Sequence, residues 1–128
     1  QHMLGFSEEL LHRLDIPYRV IQCCTGDLGP KNADMLDLEA YMPSRPTKWG
    51  ETHSASRLYD FQSRRLNLRY KTADGETKFC HTLNNTVVAS PRILIPILEN
   101  HQQPDGNVEV PAALRPYMHG LEVIRANV

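Results

Sequence analysis

Thr82-Leu83-Asn84-Asn85-Thr86-Val87-Val88-Ala89-Ser90-Pro91-Arg92 joins two kinds of local signal, one for a strand and one for a helix. Thr77 to Asn84 reads as a strand, and Ser90-Pro91 then places an N-cap residue before a proline at the first helical position. Ile93, Leu94, Ile97 and Leu98 continue on one helical face, so a strand runs straight into a helix. Inside that helix Pro96 lacks the N–H that should bond the carbonyl of Arg92, and a kink or a loosened first turn is expected. If the strand stays extended, Asn84 and Thr86 sit on alternate residues and face the same side of a sheet. Asn-Asn-Thr leading to Ser90 fits turn chemistry equally well.

Upstream, Leu66 to Lys71 and Thr77 to Asn84 flank Asp74-Gly75, which predicts an antiparallel hairpin whose two central residues take positive φ. Between Ser54 and Leu66 the spacing of Leu58, Phe61, Arg65 and Leu66 suits a helix that follows a loop. Met35 to Met42 alternates as a strand stopped by Pro43, and Tyr18 to Cys24 reads as a buried strand before the turn cluster Gly26 to Pro30. Phe6, Leu10, Leu11 and Leu14 share a helical face, with Ser7 as N-cap and Glu8 and Glu9 in the first turn. Gln1-His2-Met3 reads as an appended tag or, at Met3, a native start, and has no functional weight. Downstream, Asp105-Gly106 marks a turn, and the tail from Val108 holds Pro111 and Pro116 without a long element.

Composition narrows the function classes. A chain of 128 residues with 41% hydrophobic side chains is enough for one domain with a core. Its 14 basic and 15 acidic side chains nearly cancel, so no strong overall field draws it to nucleic acid or an acidic membrane. No apolar run approaches the roughly 18 residues of a spanning helix, and the first residues lack a signal-peptide layout, so no membrane partner and a cytoplasmic location are expected. Of the three cysteines Cys23 and Cys24 are adjacent, which fits reduced thiols and neither a disulfide framework nor a CxxC knuckle. The six histidines show no HExxH or other ligand spacing.

Thr82-Leu83-Asn84-Asn85-Thr86, Ala89-Ser90-Pro91-Arg92 and Leu98-Glu99-Asn100-His101-Gln102 together resemble the third signature motif of bacterial seryl-tRNA synthetases. Collinear matches precede it: Pro17-Tyr18-Arg19-Val20, Thr25 to Gly29, Asp37 to Pro43, Gly50-Glu51-Thr52-His53-Ser54, and Asp60 to Arg65. Asp105-Gly106, Pro111 and Arg115 to Met118 close the series, so the resemblance runs from Gly5 to about Met118. It implies an α+β fold, an antiparallel sheet with flanking helices, as part of a class II aminoacyl-tRNA synthetase catalytic domain. Such enzymes activate serine with ATP to seryl-adenylate and transfer it to tRNA(Ser), as homodimers with a coiled-coil arm. On this resemblance residues 1–128 are the C-terminal half of the catalytic domain, without the family's first and second motifs or its arm. The chain alone is then expected to be inactive.

The resemblance also assigns roles. Arg92, at the first turn of a helix whose free N–H groups already favour an anion, is the catalytic, ATP-binding arginine that covers the adenine and reaches the terminal phosphate. Glu51 and Ser54 are the ATP-site residues that hold Mg2+, a pair of hard oxygens that would also serve as helix caps. Asn84 and Thr86 hold serine. Arg57, where relatives often carry asparagine, forms with Arg64, Arg65 and Arg69 the one basic cluster, a tRNA contact or a solvated helix face paired with acids, and these four stay outside the site. A second function is compatible with the same residues: a non-catalytic, synthetase-derived binding or regulatory module. Retention of all the polar site residues favours the enzyme part.

Overall fold

Strand alternation builds one antiparallel sheet with a covered face and an open one. The computed structural model describes residues 1–126. Helix α1 (His2–Arg13) is followed by β1 (Tyr18–Gln22), β2 (Asp34–Tyr41) and the long β3 (Trp49–Tyr59). Then come α2 (Phe61–Leu66), β4 (Arg69–Lys71), β5 (Thr77–Phe79), β6 (Thr82–Asn85), α3 (Ser90–His101), β7 (Val108–Glu109) and β8 (Val123–Ile124). Strands β1, β2, β3 and β6 form a four-stranded sheet in that order, antiparallel throughout. This is the α+β arrangement expected, and no helix among the described residues is long and apolar enough to cross a membrane.

Helices α1 and α3 supply the cover. Leu4, Leu11 and Leu14 from the α1 segment and Ile93 from α3 pack with Leu38 and Ala40 of β2 and with Met42 into one apolar cluster. The α1 face differs from the expected one. The helix begins at His2, Ser7 is fully buried inside it rather than capping it, and Phe6 is 54% exposed. Ser7 touches the sheet: its Oγ accepts a hydrogen bond of 3.1 Å from Asn85 Nδ2, whose amide also donates to Met3 O at 2.8 Å. Residues 2 and 3 are therefore helical, and Met3 is a sheet contact.

Four other expectations change. Residues 54 to 59 are strand, not loop and helix, because β3 lies between β2 and β6 and bonds to both, leaving only Phe61–Leu66 helical. Thr77 to Asn84 is not one strand, since β5 pairs with β4 in a separate ribbon and β6 joins the main sheet. In the ribbon's turn Gly75 alone takes positive φ (84°), and the bond from Gly75 N to Thr72 O fits a three-residue loop instead of a two-residue one. β1 is an edge strand with Val20 40% exposed, so it is not buried.

α3 starts at Ser90 with Ala89 as its N-cap residue, so Ser90 is the first helical residue and not the cap. The helix continues through Pro96 to His101. Its far end is pinned by the residues that carried the resemblance there. Glu99 accepts from Ser44 N at 3.1 Å, Asn100 Nδ2 donates to Tyr41 O at 2.9 Å, and His101 Nε2 meets Leu14 O at 2.8 Å. Those contacts fix the helix on β2 and α1, and so fix where its first turn presents Arg92.

Candidate active site

Two residues three apart on a regular strand face opposite sides of the sheet, which would separate Glu51 from Ser54. A bulge in β3 prevents that. Glu39 pairs with Glu51 and Leu38 pairs with His53, so Thr52 is the extra residue, and Asp37 then pairs with Ser54. Asp37 and Glu39 alternate on β2 and share a face, and their partners Ser54 and Glu51 share it with them. Thr52 is held where it is by its hydroxyl, which reaches Leu38 O at 3.3 Å and His53 Nδ1 at 2.7 Å.

β6 adds to the same face. Ser56 pairs with Asn84, and Thr86 N donates to Ser54 O at 3.3 Å, so the ladder continues one residue beyond the strand. Asn85, between them, turns the other way to Met3 and Ser7 in the α1 layer. The alternation expected for Asn84 and Thr86 is thus the one observed, and both side chains stand on the face opposite the apolar core. Turn chemistry does not take them.

Arg92 closes the group. Its Nη1 lies 2.9 Å from Glu51 Oε1 in an ion pair whose side chains are about half exposed. An exposed pair of this kind is worth roughly 0–1 kcal/mol. It holds two site residues together without committing either, because a charge-assisted contact to a bound anion or cation outweighs it.

Other charges on or near the face are already matched. Arg19 reaches Glu39 at 2.6 Å, while Arg57 pairs with Asp34 at 3.2 Å and stacks on Tyr59. Since Arg57 alternates with Ser56, it points to the far side and leaves the site face untouched. Arg65 folds onto the ring of Phe61, and Arg69 onto that of Phe79. A cleft of about 480 Å³ wraps the β6 edge beside Met3, Leu36 and Leu83; Asn84 borders it, but Glu51, Ser54 and Arg92 do not. Side-chain placement on the sheet therefore defines the candidate site better than cavity volume does.

Asp37 and Cys23 near it carried no site role in the sequence, and His53, between Glu51 and Ser54, carried none that the sequence could supply. Asp37 is 7% exposed, and its Oδ2 accepts the Cys23 thiol at 3.1 Å. Burial, and then the Asp37 bond, push that thiol up to about 12, so Cys23 stays protonated. His53 is buried under the face, with its pKa lowered by burial against a partial offset from the backbone of Val87. A carboxylate inside the apolar run Met35-Leu36-Asp37-Leu38 was the available signal for the first.

The matches to known proteins fall on the same segment. Residues 1–101 match the family model of the class II tRNA synthetase core domain (G, H, P, S and T). The chain belongs to that family. It is 56% identical over 124 residues to the serine-tRNA ligase of Deinococcus radiodurans, covering 97% of this chain and 29% of that protein. To the serine-tRNA ligase of Thermomicrobium roseum it is 49% identical, covering 97% of this chain and 28% of the relative. Seryl-tRNA synthetase from Pyrococcus horikoshii, solved in complex with ATP, superposes with a TM-score of 0.89 at 44% identity, over 96% of this chain and 27% of that one. The cytoplasmic serine-tRNA ligase of Naegleria fowleri, in complex with AMP, gives 0.92 at 39% identity, over 99% and 30%. The chain thus spans less than a third of the length of these relatives.

Proposed function

We propose that this chain is the C-terminal part of the catalytic domain of a serine-tRNA ligase and supplies part of its ATP and serine site. The observation that carries the reading is the single open face on which Glu51, Ser54, Asn84 and Thr86 stand, with Arg92 in contact with Glu51 at 2.9 Å. Activation of an amino acid is attack of a carboxylate on the α-phosphorus of ATP with pyrophosphate leaving, so such a site must hold a polyanion and neutralise charge developing on it. Arg92 forks to phosphate oxygens and stacks on the base, which lysine does not do. Nucleotide binding then exchanges the weak Arg92–Glu51 pair for two stronger contacts, releasing the Glu51 carboxylate.

Glu51 and Ser54 are hard oxygens on one face, the donor set that Mg2+ takes beside phosphates and water, so the residues present fit the ion. When bound there it would neutralise phosphate charge. Asn84 anchors serine from the strand, and the Thr86 hydroxyl pairs with the serine hydroxyl while its methyl narrows the pocket. Serine, tRNA(Ser) and a second copy in a homodimer are the partners of the complete enzyme, acting in the cytoplasm. Exposed Leu83, Leu94 and Leu98 on β6 and α3 support the presence of further protein over these surfaces.

The test is serine-dependent exchange of pyrophosphate into ATP. The complete ligase carrying these 128 residues is expected to exchange, and the isolated chain is not, because the family's α-phosphate clamp is not among its residues. Serine-dependent exchange by the isolated chain, scaling with its concentration, would overturn the division of labour. A complete protein that binds neither ATP nor serine would favour the non-catalytic reading.

A further inference from the structure

Asp37 is a buried carboxylate at the centre of the open face, and its bonding is incomplete. The side chain lies mid-strand in β2 at 7% exposure. Oδ2 takes the Cys23 proton, the only one that thiol has, while Oδ1 is buried with no partner. Among the described residues no lysine, arginine or histidine pairs with it, whereas Glu51 has Arg92 and Glu39 has Arg19. Buried polar atoms are nearly always bonded, and of the five side-chain atoms buried without a partner among the described residues Asp37 Oδ1 is the one carboxylate oxygen.

Its cross-strand neighbour carries a hydroxyl. Ser54 pairs with Asp37 across β2 and β3 and shares its face; the Cβ atoms of such pairs lie about 4.5–5.5 Å apart. A serine that lends an Oγ lone pair to a cation must aim its hydrogen elsewhere, and coordination makes that hydrogen a better donor. Glu51 would be engaged with the same cation. Outer partners of this type orient the ligands of metal sites.

We propose that Asp37 is a positioning residue of the cation site: its Oδ1 accepts a hydrogen bond from the Ser54 hydroxyl and so turns the Ser54 lone pair toward a divalent cation bound with nucleotide. This rests on the reading of Glu51 and Ser54 as the cation's protein ligands. Asp37 then explains why the bulge at Thr52 matters twice over. It brings Glu51 and Ser54 to one face, and it sets Ser54 opposite a buried carboxylate with an oxygen to spare.

The experiment uses the complete ligase with Mn2+ as the probe in the presence of ATP, its binding followed by electron paramagnetic resonance. Asp37→Asn keeps the shape and is expected to weaken Mn2+ affinity about 10- to 100-fold. ATP binding measured without divalent cation should stay unchanged. Because Asp37 acts through Ser54, the pair Asp37→Asn with Ser54→Ala should bind Mn2+ no more weakly than Ser54→Ala alone. Unchanged affinity in Asp37→Asn, or additive losses in the double variant, overturns the proposal while Glu51→Ala still loses Mn2+. If Glu51→Ala also binds as wild type, the cation reading itself fails and Asp37 falls with it. Should Asp37→Asn not fold, a structure of the wild-type ligase with Mn2+ and ATP decides. An Oγ to Oδ1 separation within hydrogen-bonding range, about 2.5–3.0 Å, supports the proposal, and one beyond about 3.5 Å overturns it.

Discussion

The two faces of the four-stranded sheet are made by the same strands and behave as different materials. On one, Leu38 and Ala40 are completely buried under α1 and α3. On the other, one residue along each time, stand Asp37, Glu39, Glu51, Ser54, Asn84 and Thr86. The covered face gains from apolar burial and tolerates few polar atoms; Asn85 stands there with its amide donating to Met3 O and Ser7 Oγ. The open face has little to lose by being polar. Stability and chemistry can therefore vary almost independently on one scaffold, provided the alternation holds and the bulge at Thr52 keeps Glu51 in phase with Ser54.

Substitutions sharpen that contrast, and the largest effect belongs to the covered face. Leu38→Ala should lower unfolding stability by about 2–5 kcal/mol in chemical denaturation, through lost burial and the cavity left. Any catalytic loss should be recovered where the variant is fully folded. On the open face the pattern reverses. Arg92→Ala or Glu51→Ala in the complete ligase should each cost about 2–4 kcal/mol of transition-state stabilisation in serine-dependent exchange. Their unfolding midpoints should shift by no more than the roughly 0–1 kcal/mol of an exposed pair. Arg92→Lys should rescue poorly; full rescue would remove stacking and forking from its role.

Specificity should move by smaller amounts. Thr86→Val keeps the shape and removes a hydroxyl, so the serine-to-alanine ratio of kcat/KM should fall about tenfold, the worth of one hydrogen bond. Thr86→Ser should chiefly admit threonine. Ratios unchanged in both would return Thr86 to an ordinary residue at a strand end. The smallest effect is a pH dependence from His53. Burial lowers its pKa in the folded state, so below the ordinary value near 6.5 the unfolded chain takes up the proton first. Stability should be full above that pH and decline as pH falls toward the lowered value. Replacing His53 by Gln should flatten that slope.

How much of this was legible beforehand follows the physics of each element. The helix that presents Arg92 was readable because a proline near a helix start is a local signal, whereas for Asn84 and Thr86 strand and turn were equally open locally and the resemblance favoured the strand. β3 was not readable, since Gly50, Ser54, Ala55 and Ser56 have little intrinsic strand preference and are held there by ladders on both sides. The bulge at Thr52 was invisible for the same reason: only the register against β2 reveals it. Beyond being a carboxylate in an apolar run, Asp37 carries no local signal of a site role, because its meaning depends on Ser54 across the strand. The α1 start at His2 differs from the sequence expectation because a tertiary contact, Ser7 with Asn85, overrides capping preference, while α3 starts one residue earlier than expected, at Ser90.

The most direct test of the central claim is to map where Mg·ATP binds on the isotopically labelled 128-residue chain by amide chemical shifts at millimolar nucleotide. If the polar face holds the nucleotide, changes concentrate at Glu51, Ser54, Asn84, Thr86 and Arg92, with Leu4, Leu11 and Leu38 on the covered side unmoved. No saturable change at those amides, or changes centred on the cleft by Met3, Leu36 and Leu83 instead, would contradict it.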